Sequence, residues 1–199
     1  HVLKRPPTAG EYWIASIDYG VSNAFACLLI GVNTGVNTQM GKRLWVEKEY
    51  YWDCRKTGRQ KLNSEFADDV QEMLEPYAVK GIYIDPSAAS MKLELNRRGM
   101  HVIPADNDVY NGIETMCNEM TKGNLYVLDS CKNLIREIQN YVWDTKKSQQ
   151  GLDEPVKKAD HAVDALRYAM QTHKVATYNP YNHNPTHYQR DRFGRVSNF

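Results

Sequence analysis

The sequence predicts an α/β fold with a mixed sheet: three antiparallel strands come first, parallel strands follow, and helices pack on both faces. Two observations support this prediction. Up to residue 52, three apolar or alternating runs are separated by turn residues and show no helical periodicity. After residue 63, segments with helical periodicity alternate with short apolar runs, the order typical of parallel strands joined by helices. With 199 residues, of which 42% are hydrophobic, the chain can form one domain with its own core.

The three antiparallel strands are predicted from their residue types. Residues 11–20 form an aromatic and β-branched run that ends near Asp18. Residues 24–32 form an apolar strand, and residues 42–52 alternate as a half-exposed strand. The segment GVNTGVNTQMG between the last two is rich in the glycine and asparagine that favour tight turns. We therefore expect these consecutive strands to run antiparallel.

In the second half of the chain, helices and strands alternate. Residues 64–78 carry apolar residues at helical spacing behind Ser64, which we expect to cap the helix. The apolar run 81–89 is predicted to be a strand that ends at Asp85, because Pro86 interrupts it. The remaining segments are predicted as helix 88–98, strand 101–105, helix 109–121, strand 125–128, helix 132–143, loop 144–155 and helix 157–169.

The two ends of the chain differ in composition from its middle. Residues 1–10 contain a Pro-Pro pair and no start methionine, so we expect a linker remnant from a longer polypeptide. Residues 11–175 are predicted to form the folded domain. Residues 176–199 are dense in Asn, Tyr, His, Pro and Arg, and we expect a flexible tail there.

Composition narrows the classes of protein. The net charge is +1, so any contact with a polyanion must depend on local basic patches. The four cysteines form no C-x-x-C pair and no disulfide or zinc spacing, which indicates free thiols. The sequence contains no apolar run of about 18 residues and no leader in which charged residues precede an apolar run. It therefore predicts neither membrane insertion nor secretion. The glycine-rich segment GVNTGVNTQMGKR departs from the spacing of a phosphate-binding loop.

Two aspartates lie at the carboxyl ends of predicted strands, Asp18 and Asp85. If these strands are parallel neighbours, their ends lie at one edge of the sheet, about 4.8 Å apart. Asp164 adds a third carboxylate if the last helix crosses that edge. Three carboxylates in one pocket repel unless divalent cations neutralise them, and such oxygen ligands favour Mg²⁺ or Mn²⁺ over zinc. Each aspartate alone also suits an ordinary turn or helix cap.

The last predicted helix, residues 157–169, has an apolar side and a polar side. At about 100° per residue, Asp160, His161 and Asp164 share one arc of about 100°. Like charges at i and i+4 repel, so Asp160 and Asp164 do not stabilise the helix, and we expect a positive group beside them. The alternative is the solvated edge of an ordinary amphipathic helix.

Six stretches carry a resemblance to a known family. In order from about residue 11 to residue 172 they are ASIDYG, YWDCRKTGRQKLNSEFADD, YIDPSAAS, DNDVYNGIETM, YVWD and DEPVKKADHAVDALRYA. Together they resemble the nuclease domain of the large terminase subunit of tailed bacteriophages, and the pattern D-H-A-x-D-A-x-R-Y-A is the most specific. The resemblance implies a ribonuclease-H-like fold and an enzyme that cuts concatemeric viral DNA at the start and end of capsid filling.

The resemblance also implies roles for single residues. Asp18, Asp85 and Asp164 correspond to the metal-binding catalytic aspartates of the family. His161 corresponds to a histidine beside the metal site, and Asp160 is a further candidate ligand. The implied cofactor is Mg²⁺ or Mn²⁺, with two ions: one would activate a water for attack on phosphorus, and the other would stabilise the leaving 3′ oxygen.

Partners and location follow from the same resemblance. The implied partners are double-stranded DNA, the portal protein, the terminase ATPase domain and, as an additional candidate, the small terminase subunit, with no membrane partner. We expect the ATPase domain to be absent from this chain, because the sequence contains no nucleotide-hydrolysing motif. The implied location is the cytoplasm of the infected bacterial host.

Three basic segments are candidates for contact with DNA phosphates. Phosphate contacts provide affinity without sequence preference, and their alternative is a solvated charged loop. The candidate residues are Arg55, Lys56, Arg59 and Lys61 in a segment without helical or strand pattern, Lys146 and Lys147 in a loop, and Lys157 and Lys158 before the last helix.

Two other functions remain open at this point. A junction resolvase or transposase of the ribonuclease-H-like type would use the same carboxylates. A non-catalytic module that docks on the portal would use the acidic residues only for structure. The long, collinear resemblance favours the terminase nuclease over both.

Overall fold

The computed structural model describes residues 1–20, 23–35, 41–149 and 155–173, with the backbone alone at residues 146 and 148. Its strands are β1 (Val2–Leu3), β2 (Tyr12–Asp18), β3 (Phe25–Asn33), β4 (Arg43–Trp52), β5 (Val79–Ile84), β6 (Val102–Pro104) and β7 (Leu125–Leu128). Its helices are α1 (Cys54–Thr57), α2 (Asn63–Leu74), α3 (Ala89–Arg97), α4 (Val109–Thr121), α5 (Lys132–Asn140), α6 (Thr145–Ser148) and α7 (His161–Thr172).

The strands form one mixed sheet in the order β1-β7-β4-β3-β2-β5-β6. The β2–β3 and β3–β4 pairs are antiparallel. The β2–β5, β5–β6, β4–β7 and β1–β7 pairs are parallel. The predicted sequence of three antiparallel strands followed by parallel strands is therefore confirmed.

Strand β3 lies at the centre of the sheet and is buried along its whole length. Its side chains alternate between two apolar clusters, because successive side chains of a strand point to opposite faces. Phe25 and Leu29 pack in the cluster that includes residues of α2 and α3, whereas Leu28 and Ile30 pack in the cluster with α4, α5 and α7. Helices thus cover both faces, as predicted.

The register between β2 and β5 determines where the two strand-end aspartates lie. Ile17 pairs with Ile84 in this parallel pair. The next residue on each strand is an aspartate, so Asp18 and Asp85 leave the sheet side by side. Helix α7 packs against β2, β3 and β5 and begins beside this edge.

Two predicted features of the first 64 residues differ from the structure. Residues 1–10 were expected to be a linker, but Val2–Leu3 extends the sheet next to β7. Ser64 was expected to cap the helix, but α2 begins at Asn63, and the Glu65 carboxylate accepts the Leu62 N–H at 2.8 Å. The pattern of apolar residues predicts neither feature, because a two-residue strand is too short to show a period and the Glu65 hydrogen bond depends on local side-chain geometry.

Short helices occur in two segments predicted to lack them. Helix α1 lies within residues 53–61, where the Asp53 carboxylate accepts the Arg55 N–H at 3.1 Å, and α6 lies within the predicted loop 144–155. A four-residue helix is too short for a periodic pattern. The predicted tail, residues 176–199, lies outside the described residues.

Helix α7 is buried over more of its surface than an amphipathic pattern suggests. All residues from 162 to 170 are buried, including Asp164 and Arg167. The helix lies between the sheet and α4 and α5, so its polar side also faces protein. The alternative of a solvated edge therefore does not hold for Asp164, which lies beside a positive group, Arg167, as expected. No helix in the described ranges is long and apolar enough to cross a membrane.

Gly112 allows α4 to approach α7 closely. A Cβ added there would lie 2.4 Å from Cγ of Arg167. We predict that Gly112→Ala lowers the free energy of unfolding by about 1–3 kcal/mol, because overpacking outweighs a gain in helix propensity of about 1 kcal/mol. Urea denaturation measures this change. Asn118→Ala, at an exposed position of α4, is the control and should be neutral or slightly stabilising; equal stability of Gly112→Ala and the unmodified chain would contradict the packing argument.

Candidate active site

The two strand-end carboxylates share one hydroxyl group. The Tyr168 hydroxyl oxygen lies 3.4 Å from Oδ1 of Asp18 and 3.2 Å from Oδ2 of Asp85. These two carboxylate oxygens can therefore be no farther apart than about twice the longer distance. Asp85 also accepts the Ser87 N–H at 2.7 Å and the Asn107 amide at 3.2 Å. Partial burial raises the pKa of Asp85, but these hydrogen bonds outweigh that effect and bring the pKa below its ordinary value.

His161 contacts the other oxygen of Asp18. Its Nδ1 atom lies 2.8 Å from Oδ2 of Asp18. Burial favours the neutral imidazole, but the hydrogen bond and the negative charge of Asp18 outweigh burial and raise the pKa of His161. The first residue of α7 is thus attached to the end of β2 through an ion pair when the imidazole is protonated.

Asp164 is the most buried of the three predicted metal-binding aspartates, and its positive partner is Arg167, one turn later on α7. Arg167 Nε donates to Oδ1 of Asp164 at 3.2 Å. Arg167 Nη1 donates to the backbone carbonyls of Asn107 and Asp108 at 2.9 and 3.1 Å. Burial raises the pKa of Asp164, the Arg167 charge opposes this shift, and the nearby Asp18 charge adds to it, so the pKa lies above its ordinary value.

The start of α7 is held by Glu137 of α5. Its buried carboxylate accepts the Ala162 and Val163 N–H groups at 2.7 and 3.2 Å and the Tyr51 hydroxyl at 2.7 Å. Burial raises its pKa, although all three hydrogen bonds favour the charged form. Asp160 occupies the N-cap position but makes no side-chain capping hydrogen bond. Glu137 therefore caps this helix in place of Asp160.

A cleft of about 410 Å³ opens beside these groups. We call it the carboxylate cleft. Asp18, Asp160, His161 and Asp164 line it together with Arg55, Lys157 and Lys158. Asp85 does not line the cleft, but the Tyr168 hydroxyl connects it to Asp18, which does. Predicted acidic and basic residues from separate segments of the chain thus meet at one opening.

The donor set suits a divalent ion in its chemistry. Carboxylate oxygens are the ligands that Mg²⁺ and Mn²⁺ prefer, and two of these carboxylates lie within reach of a single hydroxyl. Within the described ranges, however, no group of three or more His, Cys, Asp or Glu side chains is already arranged to hold a metal. The carboxylates are instead engaged by Tyr168, His161 and Arg167. A bound ion would share these carboxylates with the donors that hold them in position.

The remaining predicted DNA-binding residues are distributed unevenly. Arg55, Lys157 and Lys158 line the carboxylate cleft, where Arg55 Nη2 also donates to Oδ1 of Asn23 at 2.6 Å. The other members of the first basic segment form ion pairs away from it: Lys56 with Asp53, Arg59 with Glu65, and Lys61 with Asp69.

Lys61 and the loop lysines have different surroundings. The Lys61 side chain is only 12% exposed and its ammonium lies 4.3 Å from the centre of the Trp52 ring, so it packs against the protein. Lys146 and Lys147 belong to α6, and the side chain of Lys146 lies outside the description.

Sequence reasoning did not identify Tyr168, Arg167 and Glu137. The first two could have been found, because Tyr168 follows Asp164 by four residues and Arg167 by three, which places all of them on neighbouring turns of one helix. Nothing in the sequence indicates that Glu137, from another helix, caps α7.

A family model described as the terminase RNaseH-like domain matches residues 45–173, more than half of the chain. The matched range contains Asp85 and Asp164 but begins after Asp18. The large terminase of a thermophilic bacteriophage, solved in complex with ADP, has a similar structure, with 36% identity and a TM-score of 0.79. The alignment covers 85% of this chain and 41% of that one.

Two further relatives agree with this match. The large terminase subunit of Escherichia phage T5 is 27% identical over 161 residues, 79% of this chain and 34% of that protein. The large terminase nuclease domain of bacteriophage SPP1, solved with bound Mn, has a TM-score of 0.54 at 20% identity over 79% of this chain and 83% of that chain; at this identity the likeness concerns the fold.

The predicted ribonuclease-H-like fold is confirmed by the family model and by the large terminase of the thermophilic phage. The chain spans about a third of the T5 protein and about two fifths of the thermophilic phage protein. The family match over residues 45–173, together with the mixed sheet and its helices, shows that the chain belongs to the terminase ribonuclease-H-like domain family.

Proposed function

We propose that this chain is the metal-dependent endonuclease domain of a viral DNA-packaging terminase and cuts concatemeric double-stranded DNA. The observation that supports this most directly is the meeting of Asp18 and Asp85 at the Tyr168 hydroxyl, with Asp164 on the same helix as Tyr168. Three acidic groups at one partly open edge suit phosphodiester hydrolysis better than structural stability, since like charges raise the energy of the fold.

The proposed cofactor is Mg²⁺ or Mn²⁺, with two ions bound by Asp18, Asp85 and Asp164 and with Asp160 as a further ligand. The Mn bound to the SPP1 nuclease domain supports this choice. When bound, such ions supply Lewis acidity for attack on phosphorus and stabilise the leaving oxygen.

The chain's own residues would hold and orient the reacting groups. His161 is positioned by Asp18 and faces the carboxylate cleft, where it can orient a water or the scissile phosphate. Arg167 keeps Asp164 in place by a contact to one carboxylate oxygen while it is itself fixed by two backbone carbonyls. His161 therefore acts at the cleft, and Arg167 acts through Asp164.

The proposed substrate contacts are ionic and independent of sequence. Arg55, Lys157 and Lys158 line the carboxylate cleft and can neutralise phosphates on either side of the bond to be cut. Lys56, Arg59, Lys146 and Lys147 remain candidates for outer contacts, whereas Lys61 would first have to leave Asp69 and the Trp52 ring. The proposed partners are the terminase ATPase domain, the portal protein and the small terminase subunit, in the cytoplasm of the infected bacterium.

Cleavage of plasmid DNA tests the proposed activity. We expect the chain to nick and linearise supercoiled plasmid with Mn²⁺, and Asp18→Asn or Asp85→Asn to lower the rate by about 100-fold or more, because metal-based charge stabilisation contributes several kcal/mol. Gel electrophoresis of plasmid measures the rate. Asp68→Asn is the matched control, since its carboxylate is 68% exposed and pairs with Arg98.

A non-catalytic module that docks on the portal gives the opposite result. In that case plasmid stays supercoiled with Mn²⁺, and Asp18→Asn and Asp85→Asn change only thermal stability. Circular dichroism of each variant separates loss of activity from loss of fold. Preferred cleavage of four-way junctions over linear duplex would favour the resolvase alternative.

Tyr168 would act as a positioning residue for the two strand-end carboxylates. We expect Tyr168→Phe to weaken Mn²⁺ binding about 10-fold, because the hydroxyl holds two carboxylates at one point and residues that orient ligands contribute about this much. Calorimetric titration measures the dissociation constant, and thermal unfolding reports any structural effect separately. Tyr110→Phe, at a side chain that is 54% exposed, is the control; unchanged or tighter Mn²⁺ binding by Tyr168→Phe would refute this role.

A further inference from the structure

A second cleft adjoins the carboxylate cleft. Its volume is about 310 Å³, and its lining includes Arg136 and Asn140 of α5 with Val156, Lys158 and Ala159 of the segment before α7. Lys158 and Ala159 line both clefts. We call this second opening the α5 cleft. A linear polymer bound in the carboxylate cleft can therefore extend into the α5 cleft past Lys158 and Ala159.

The α5 cleft carries positive charge without a matching carboxylate. Arg136 and Lys158 are both exposed, and neither forms an ion pair with any carboxylate in the described ranges. Glu137 also lines this cleft, but its two carboxylate oxygens accept the Tyr51 hydroxyl and the first N–H groups of α7. Its charge is thus directed into the protein, and two cations face solvent.

The segment that separates the two clefts has an unusual backbone. Ala159 has a φ of 49°, in the left-handed region that a side chain disfavours by about 1–2 kcal/mol. Strain of this kind persists where the surrounding structure holds it, and it occurs often at ligand sites. In this protein, the strained residue Ala159 directly follows Lys158, and both residues lie between the two clefts.

We infer that the α5 cleft binds a phosphate of the DNA backbone next to the one cleaved in the carboxylate cleft, through Arg136 and Lys158. This inference rests on the proposed nuclease function. A guanidinium suits a phosphate because it offers several N–H donors in a fixed plane. The exposed Val156 side chain provides an apolar surface for the adjoining sugar. Arg136 was not among the basic residues that the sequence indicates, because it lies on an amphipathic helix and not in a basic segment.

The test measures DNA binding of the full chain in Ca²⁺, which allows binding to be followed without cleavage, at several salt concentrations. Arg136→Ala should weaken binding to a linear duplex about 8-fold at about 0.1 M salt and reduce the slope of log K against log salt by about 0.9, the effect of one lost phosphate contact. Lys158→Ala should lower the affinity and the salt slope by similar amounts. Arg97→Ala is the matched control, since Arg97 is exposed at the end of α3, on the opposite face of the sheet.

A small phosphodiester distinguishes this inference from the proposed function. Bis(p-nitrophenyl) phosphate has no neighbouring phosphate, so Arg136→Ala should hydrolyse it with Mn²⁺ as the unmodified chain does, while its plasmid cleavage falls with its DNA affinity. Equal affinity and equal salt slope for Arg136→Ala and the unmodified chain would overturn the α5 cleft as a DNA site, as would no DNA binding at all. Failure of the unmodified chain to cleave either substrate would instead overturn the nuclease proposal.

Discussion

The main constraint on this structure is the accumulation of negative charge at one edge of the sheet. The β2–β5 register brings Asp18 and Asp85 together, and the burial of α7 adds Asp164. At a separation of about 6 Å and an effective dielectric constant of about 20, two carboxylates repel by roughly 3 kcal/mol. Each carboxylate accepts a hydrogen bond from a residue of α7: Asp18 from Tyr168 and His161, Asp85 from Tyr168, and Asp164 from Arg167. The positions of these donors depend on α7.

Helix α7 is therefore the element that links fold and site. It provides Asp164, His161 and Tyr168 from successive turns, and it is held at its start by Glu137 and along its length by the close approach of α4 at Gly112. Arg167 contacts Oδ1 of Asp164, and no donor in the described part of the chain contacts Oδ2 of that residue. An ion could use this second oxygen without loss of the Arg167 contact. The Tyr168 hydroxyl contacts one oxygen of Asp18 and one of Asp85, so an ion between these residues would share the carboxylates with a hydroxyl that keeps them in position.

The sequence predicts most of the fold because its signals are local. Helix α4 and strand β7 match their predicted bounds. The parallel pairing of β2 with β5 was a condition of the predicted site, and the structure meets that condition. The exceptions have local causes, since the turn of α1 is too short for periodicity and Glu65 replaces Ser64 at the start of α2.

The sequence predicts less of the site than of the fold. Its three aspartates could be proposed because they follow strands or lie on one helix. The surroundings of the aspartates depend on packing between distant segments: Glu137 caps a helix that begins 24 residues later, and the α5 cleft forms only when α5 lies beside the segment before α7. An amphipathic pattern also predicts exposure for any polar residue, so it could not reveal that Asp164 is buried against Arg167.

Anomalous diffraction from crystals grown with Mn²⁺ tests the central claim most directly, because it locates the ions without reference to activity. The account predicts one or two anomalous peaks between Asp18, Asp85 and Asp164, each at about 2.0–2.6 Å from carboxylate oxygens of at least two of them. Saturating Mn²⁺ with no peak at this edge of the sheet, while the three carboxylates keep their contacts to Tyr168, His161 and Arg167, would contradict it.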